Sequence, residues 1–281
     1  MSRDRGERII RRILVALDAS PHSLAALEAA VDLASRFGAE LSGLYVEDIN
    51  LLRLAELPFA QEVGQFSASR RRLDVQELER QMRAQTLRVR RIFRGTSQRA
   101  EIRWSFSVTR GRVAREVLSA ATEADVLVLG RAGWSLIRPR RMGSTTRAVL
   151  AQAPGWALIL QEGACLGQPV VVVYDGSPLA QRALDAAAAL LQEEMPLTVL
   201  LLAGEPRSVE SLKAQVHAWL GERDIQVRYR TLTRFNVPSL VDALETERCG
   251  TVVLPARSVT LSDAALQALL DEVQVPVLLI R

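Results

Sequence analysis

The stretch ILVALDASPHSLAALEAAVDLA, beginning at Ile13, returns from Val170 as VVVVYDGSPLAQRALDAAAALL, almost position for position. Asp18 aligns with Asp175 and Ser20 with Ser177. The ends of the copies match as well: LAQAPGWALIL from Leu150 stands against LDEVQVPVLLI from Leu270. A repeat of about 160 residues is far too long for a solenoid unit and is the size of a duplicated domain. Whatever plan the first copy folds on, the second must share.

That plan reads as strand alternating with helix. RRILVALD is a short apolar run, and SPHSLAALEAAVDLASRFG then carries Leu24, Leu27, Ala30, Val31 and Ala34 at a helical period before stopping on Gly38. ELSGLYVE reads as a strand, residues 48–69 as a looser insertion, and 70–94 as a long helix with Leu73, Leu78, Met82, Val89 and Ile92 along its apolar stripe. IRWSFSV, DVLVLG and WALILQ complete five strands, with REVLSAAT and TTRAVLAQ as the helices between them. Such alternation predicts parallel sheets covered on both faces. The expected fold class is α/β: two open five-stranded parallel sheets, each in the order 3-2-1-4-5, with helices on both faces. Gly163, Gly167 and Pro169 break the periodic runs between the copies, so domains are expected at 1–163 and 168–281.

With 48% hydrophobic and 24% charged residues, the chain reads as a well-cored globular protein. Its longest apolar runs are about seven residues, where a membrane-spanning helix needs about 20. MSRDRGERIIRR leads directly into a strand and does not resemble a secretory signal. A cytoplasmic protein, not embedded in a membrane, is expected. Cys165 and Cys249 make no disulfide framework and are expected to be buried and reduced. His22 and His217 have no Cys or acid clusters around them, which argues against a metal site. Charge is uneven: residues 1–167 carry 26 Lys+Arg against 18 Asp+Glu, a net of +8, and residues 168–281 carry 10 against 14, a net of −4. Lys213 is the only lysine, so a bound anion would be held by guanidinium groups or backbone amides.

The chemistry gathers in GRAGWSLIRPRRMGST, which leaves the strand DVLVLG and enters a helix on Gly143, Ser144 and Thr145. In an open parallel sheet, ligands bind at the carboxyl ends of strands where the winding reverses. In the order 3-2-1-4-5 that point lies between the strand ending at Asp18 and the strand ending at Gly130. Gly130 and Gly133 are expected to turn at positive φ and let the backbone approach a ligand. The free N–H groups of the helix opening at Gly143 favour an anion. Neither a Walker motif nor GxGxxG is present. The alternative is an ordinary connection with Ser144 as the helix N-cap.

The spacing G130-x2-G133-x9-G143-S144 resembles the ATP-binding motif of the universal stress protein family, and the whole chain resembles a tandem member with two such domains. The resemblance implies an adenine nucleotide alpha hydrolase-like fold and ATP, with or without Mg, as the bound cofactor. It places Ala16, Asp18 and the backbone of Val46 at the adenine. Gly130, Gly133, Gly143, Ser144 and Thr145 would hold ribose and phosphates. Arg131 reaches the phosphates or stays exposed. For Asp18 the bland alternative is an acid capping the following turn, and its repetition as Asp175 favours a structural duty at both places.

The second copy departs from the pattern: after TVVL comes PARSVTLSDAAL, with no glycine between Gly250 and the C-terminus. One nucleotide per chain is therefore expected. The second copy would dock on the first as an intramolecular pseudo-dimer through WALILQ and VPVLLIR, since exposed strand edges invite pairing. A homodimer stays open. His22 is expected to be a solvated turn residue, and catalysis is expected to be at most slow ATP hydrolysis; the resemblance implies a regulatory, stress-response role in which binding is the event. Residues 70–103 carry 11 Arg against 4 acids. This face is open to three readings: solvated, docked on an acidic protein partner, or on an anionic membrane or nucleic acid. Only Phe93 and Trp104 interleave the arginines, which argues against single-strand stacking, and nucleic acid is the least expected of the three. The alternative function is an interaction protein that uses this face and binds no nucleotide.

Overall fold

The computed structural model of the chain describes residues 10–57, 59, 61–63, 70–72, 74–133, 142–192, 194–203, 205–221, 223, 225–233, 236–256 and 262–281. The first half runs β1 (Arg12–Leu17), α1 (Pro21–Phe37), β2 (Glu40–Asp48), α2 (Ile49–Ala55), β3 (Gln61–Val63), β4 (Arg70–Arg72), α3 (Val75–Arg99), β5 (Trp104–Gly111), α4 (Val113–Ala121), β6 (Val126–Gly130), α5 (Ser144–Gln152) and β7 (Trp156–Leu160). The second runs β8 (Val170–Tyr174), α6 (Pro178–Leu190), β9 (Leu197–Leu202), α7 (Pro206–Leu220), β10 (Val227–Leu232), α8 (Val237–Thr246), β11 (Thr251–Pro255), α9 (Asp263–Glu272) and β12 (Val277–Ile280).

Each half has the expected strand order: β5-β2-β1-β6-β7 and β10-β9-β8-β11-β12. The two sheets expected from the sequence are nevertheless one. β7 and β12 pair antiparallel, with Leu158 opposite Leu278, and join the halves into a ten-stranded sheet. The cause is the one that makes any apolar edge strand sticky: unpaired N–H and C=O groups beside side chains that need burial. All five residues of β7 and all four of β12 are buried.

The repeated segment folds the same way twice. Ser20 caps α1 by accepting from the Ser23 amide at 3.2 Å, and Ser177 caps α6 by accepting from the Ala180 amide at 3.1 Å. Pro21 and Pro178 follow at the first helical position, where no amide partner is lost. α1, α3, α6 and α7 pack on one face of the sheet and α4, α5, α8 and α9 on the other. Central strands such as β8 are buried along their whole length, each large side chain contributing roughly 1.5–3 kcal/mol.

Three local expectations are corrected. The long helix begins at Val75, because Arg70–Arg72 pair with Gln61–Val63 in a separate two-stranded ribbon. Its buried stripe is Met82, Val89 and Phe93, while Leu73 lies outside the described residues. Phe93 enters because Gly43 on β2 makes room: a Cβ there would stand 2.5 Å from its ring. The 48–69 stretch holds the short helix α2, started by Asp48 accepting from the Asn50 amide at 2.9 Å. Of the two cysteines, Cys249 is buried, but Cys165 is exposed in the connection between the halves. Among the described residues, no helix is long and apolar enough to cross a membrane.

Candidate functional site

The winding reverses between β1 and β6, which pair from Ile13–Val126 to Ala16–Leu129. The chain then leaves β1 for α1 on one face and β6 for α5 on the other, so a crevice opens at their carboxyl ends. Ala16, half-buried at the last paired position, lies at its floor. β2 runs on past the end of β1: their register closes at Leu17–Tyr45, while β2 stays paired with β5 to Asp48. Val46 is the first residue beyond that closure, and its backbone stands at the crevice rim. Beneath it the Tyr45 phenol is pushed up to about 12 by burial, with Glu47 and Asp18 adding to the shift.

Asp18 builds the turn after β1. Its Oδ1 accepts from the Ser20 amide at 2.9 Å, and its carbonyl accepts from Gln85 Nε2 of α3 at 3.1 Å. Asp175 repeats the turn, accepting from the Ser177 amide at 3.0 Å. The aspartate therefore has a structural duty in both halves. In the first half its carboxylate also lies against Gly133, where a Cβ would stand 2.7 Å from Oδ2.

The glycines do not work as expected: none of Gly130, Gly133 or Gly143 has a positive φ. Gly130 is small because α1 passes over it, and Gly133 because Asp18 does. Gly143 is the N-cap of α5 in extended geometry, φ −60° and ψ 149°. It carries no capping side chain, so Ser144 is the first residue of the helix and not its cap. Ser144 and Thr145 are exposed, whereas Thr146 is buried and donates to the Gly130 carbonyl at 3.0 Å. That bond, unforeseen in the sequence, ties the start of α5 to the end of β6. The first-turn amides of α5 thus open on the crevice with the positive end of the helix dipole behind them. Residues 134–141, including Arg138, Arg140 and Arg141, lie outside the described residues.

Arg131 is neither exposed nor turned to the crevice. It is 3% exposed, and its Nη1 donates to the carbonyls of Asp271 and Val273 at 3.5 and 3.4 Å, at the C-terminus of α9. Burial works against its charge and Asp271 supports it. His22 is also engaged: its Nδ1 accepts from the Glu162 amide at 2.8 Å. Burial, with Arg131 nearby, lowers its pKa. Both residues are claimed by chain over a hundred positions away, which nothing in their local sequence announces.

The corresponding helix in the second half is closed: Ser262 Oγ caps α9 by accepting from the Ala265 amide at 3.2 Å. Pro255 and Ala256 are buried at the end of β11; residues 257–261 lie outside the described residues. Among the described residues, no cluster of three His, Cys, Asp or Glu side chains comes together to hold a metal.

The fold and crevice define a tandem open-sheet α/β protein whose first half presents, at its topological switch point, a helix N-terminus with no side-chain cap among the described residues. The chain belongs to the universal stress protein family, whose model matches residues 10–160. It is similar in structure to a universal stress protein from Archaeoglobus fulgidus DSM 4304, with a TM-score of 0.75 at 18% identity over 96% of this chain and 98% of that one. A functionally unknown protein from Pseudomonas aeruginosa PAO1 shares the fold at a TM-score of 0.53 and 15% identity, covering 97% and 93%. So does the cytoplasmic domain of a prokaryotic cation chloride cotransporter, at 0.57 and 12%, covering 96% and 95%. No curated protein matches the chain significantly.

Proposed function

We propose that the chain binds one adenine nucleotide, ATP, in the crevice of a first domain spanning 1–163. The second domain, 168–281, would be a silent docked copy, and the protein a nucleotide-dependent regulatory module of the stress response. The observation that carries this reading is the contrast between the two equivalent helices: α5 opens on Gly143 with exposed Ser144 and Thr145, while α9 is closed by Ser262. A phosphate chain would take the amides and hydroxyls at α5, needing no lysine. The base would lie between Ala16, Asp18 and the Val46 backbone, with Gly130 and Gly133 keeping the floor narrow. Arg131 drops out of the ligand set and becomes a seam residue. Asp18 and His22 are held in turn and seam hydrogen bonds, so binding is the event and hydrolysis at most slow.

Calorimetry on nucleotide-free protein tests this. One ATP per chain, lost on Gly143→Val, is expected; two would mean that the second domain binds, and none would end the reading. A second reading has its own observation. Arg88, Arg91, Arg94 and Arg99 are exposed on α3 with no ion pair among the described residues. An acidic protein partner is the docking reading they support; of the two interleaved aromatics, Phe93 is fully buried between α3 and the sheet and Trp104 is half-buried.

A further inference from the structure

The seam between the halves is nearly symmetric. Gln161 follows β7 and donates to the carbonyl of Val273, the C-cap of α9, at 2.6 Å. Arg281, its counterpart after β12, donates to the carbonyl of Ala153, the C-cap of α5, at 3.3 Å. One bond breaks this symmetry. Asp271 Oδ1 accepts from the Met142 amide at 2.7 Å, and the Asp271 carbonyl accepts from Arg131. The positions equivalent to Asp271 and Arg131 in the other half are Ala151 and Ala256; the Ala151 carbonyl still accepts a guanidinium, from Arg281 at 3.4 Å, but Ala151 has no carboxylate to make the second bond. The carboxylate bond is thus confined to the side that carries the glycines, and with it both flanks of that segment are tied to α9: Arg131 directly after Gly130, Met142 directly before Gly143.

Asp271 is badly placed for its own helix. It lies in the last turn of α9, where the dipole disfavours an acid. What it gains is across the seam: a short hydrogen bond to a buried residue's amide and a buried arginine close by. We propose that Asp271 is a positioning residue lent by the second half, which holds Met142 so that the amides of Ser144 and Thr145 point at a bound nucleotide's phosphates; this rests on the nucleotide reading above. The second half, silent as a binding site, thereby completes the first, and nucleotide affinity becomes coupled to the docking of the halves.

The test uses the full chain and three variants, Asp271→Ala, Asp271→Asn and Gln161→Ala. Two quantities are read: amide hydrogen exchange at Met142–Thr145 without nucleotide, and ATP affinity by calorimetry. Asp271→Ala is expected to speed exchange at Met142 about tenfold or more and to weaken ATP by a similar factor. Asn keeps an acceptor in the same place and should stay within about threefold of wild type on both. Gln161→Ala loosens the same helix end without touching the loop and should leave Met142 protected. Unchanged exchange in Asp271→Ala overturns the proposal, as does an equal effect from Gln161→Ala, which would mean general loosening of the seam. Exchange that depends on Asp271 in a protein that binds no ATP would keep Asp271 as the loop's anchor and remove only the nucleotide reading.

Discussion

Gly130 lies flush against the first turn of α1: a Cβ at its position would stand 2.9 Å from the Ser23 amide nitrogen and 2.8 Å from the His22 carbonyl carbon. Both obstacles are backbone, so neither can swing aside. Gly130→Ala should therefore cost about 1–3 kcal/mol. At Gly143 the nearest atom to a Cβ is 3.5 Å away, and the extended backbone suits any residue. Gly143→Ala should cost less than about 1 kcal/mol, the ordinary difference between Gly and Ala at an N-cap. Urea unfolding of the two variants checks the contrast, and it makes Gly143 the position where lost ATP binding is not confused with lost folding.

His22 supplies a pH dependence. Its folded pKa lies below the ordinary 6.5, through burial first and Arg131 second. Between that lowered value and about 6.5, the unfolded chain binds a proton that the folded chain refuses, so stability rises with pH across this window. It is lost as pH falls below about 6.5, because an imidazolium Nδ1 cannot accept from the Glu162 amide. Unfolding free energies at pH 7.5 and 5 should differ by less in His22→Asn than in wild type. An unchanged difference would mean that other groups set the acid response.

Arg281 donates to the carbonyls of Leu150, Ala151 and Ala153 at the end of α5. A guanidinium there meets both the unpaired carbonyls and the negative end of the dipole. Arg281→Ala should destabilise by about 1.5–3 kcal/mol. Chemical denaturation measures it directly, and a loss under about 0.5 kcal/mol, the range of ordinary surface changes, would show that the seam holds without Arg281.

The two thiols should separate cleanly. Burial pushes Cys249 up to about 12, while Cys165 is exposed. A maleimide at neutral pH should label one thiol per native chain and two in denaturant.

Replacing Arg88, Arg91 and Arg94 by Gln should leave stability within about 0.5 kcal/mol, since all three are surface positions. ATP binding should not change. Retention on a polyanionic column should fall at low salt and converge with wild type at high salt. Loss of biological activity with ATP binding intact would favour the acidic-partner reading.

Much of this fold is legible in the sequence. The Asp18 turn and its Asp175 copy, the strand order and the pairing of WALILQ with VPVLLIR all follow from patterns that repeat; the caps at Ser20 and Ser177 are not among the sequence expectations, and the one serine offered as a cap, Ser144, is not one. The errors in the glycine loop share one cause. Glycines in the 130–143 loop read as flexible ligand contacts, but what presses on Gly130 is a helix turn more than a hundred residues earlier in the chain. Arg131 read as a loop arginine because its partners, the carbonyls of Asp271 and Val273, lie about 140 residues downstream. Cys165 read as buried because cysteine usually is.

Hydrophobic period, capping residues and the duplication act over a few neighbouring positions or repeat verbatim, so the chain's own letters were enough to establish two α/β halves and the opening of α5 at Gly143. Which side chains face the crevice and which face the seam depends on surfaces that meet only when β7 and β12 pair. Asp271 is the clearest instance: along the chain it is an ill-placed acid at a helix end, and it acquires a function only where folding sets it against Met142.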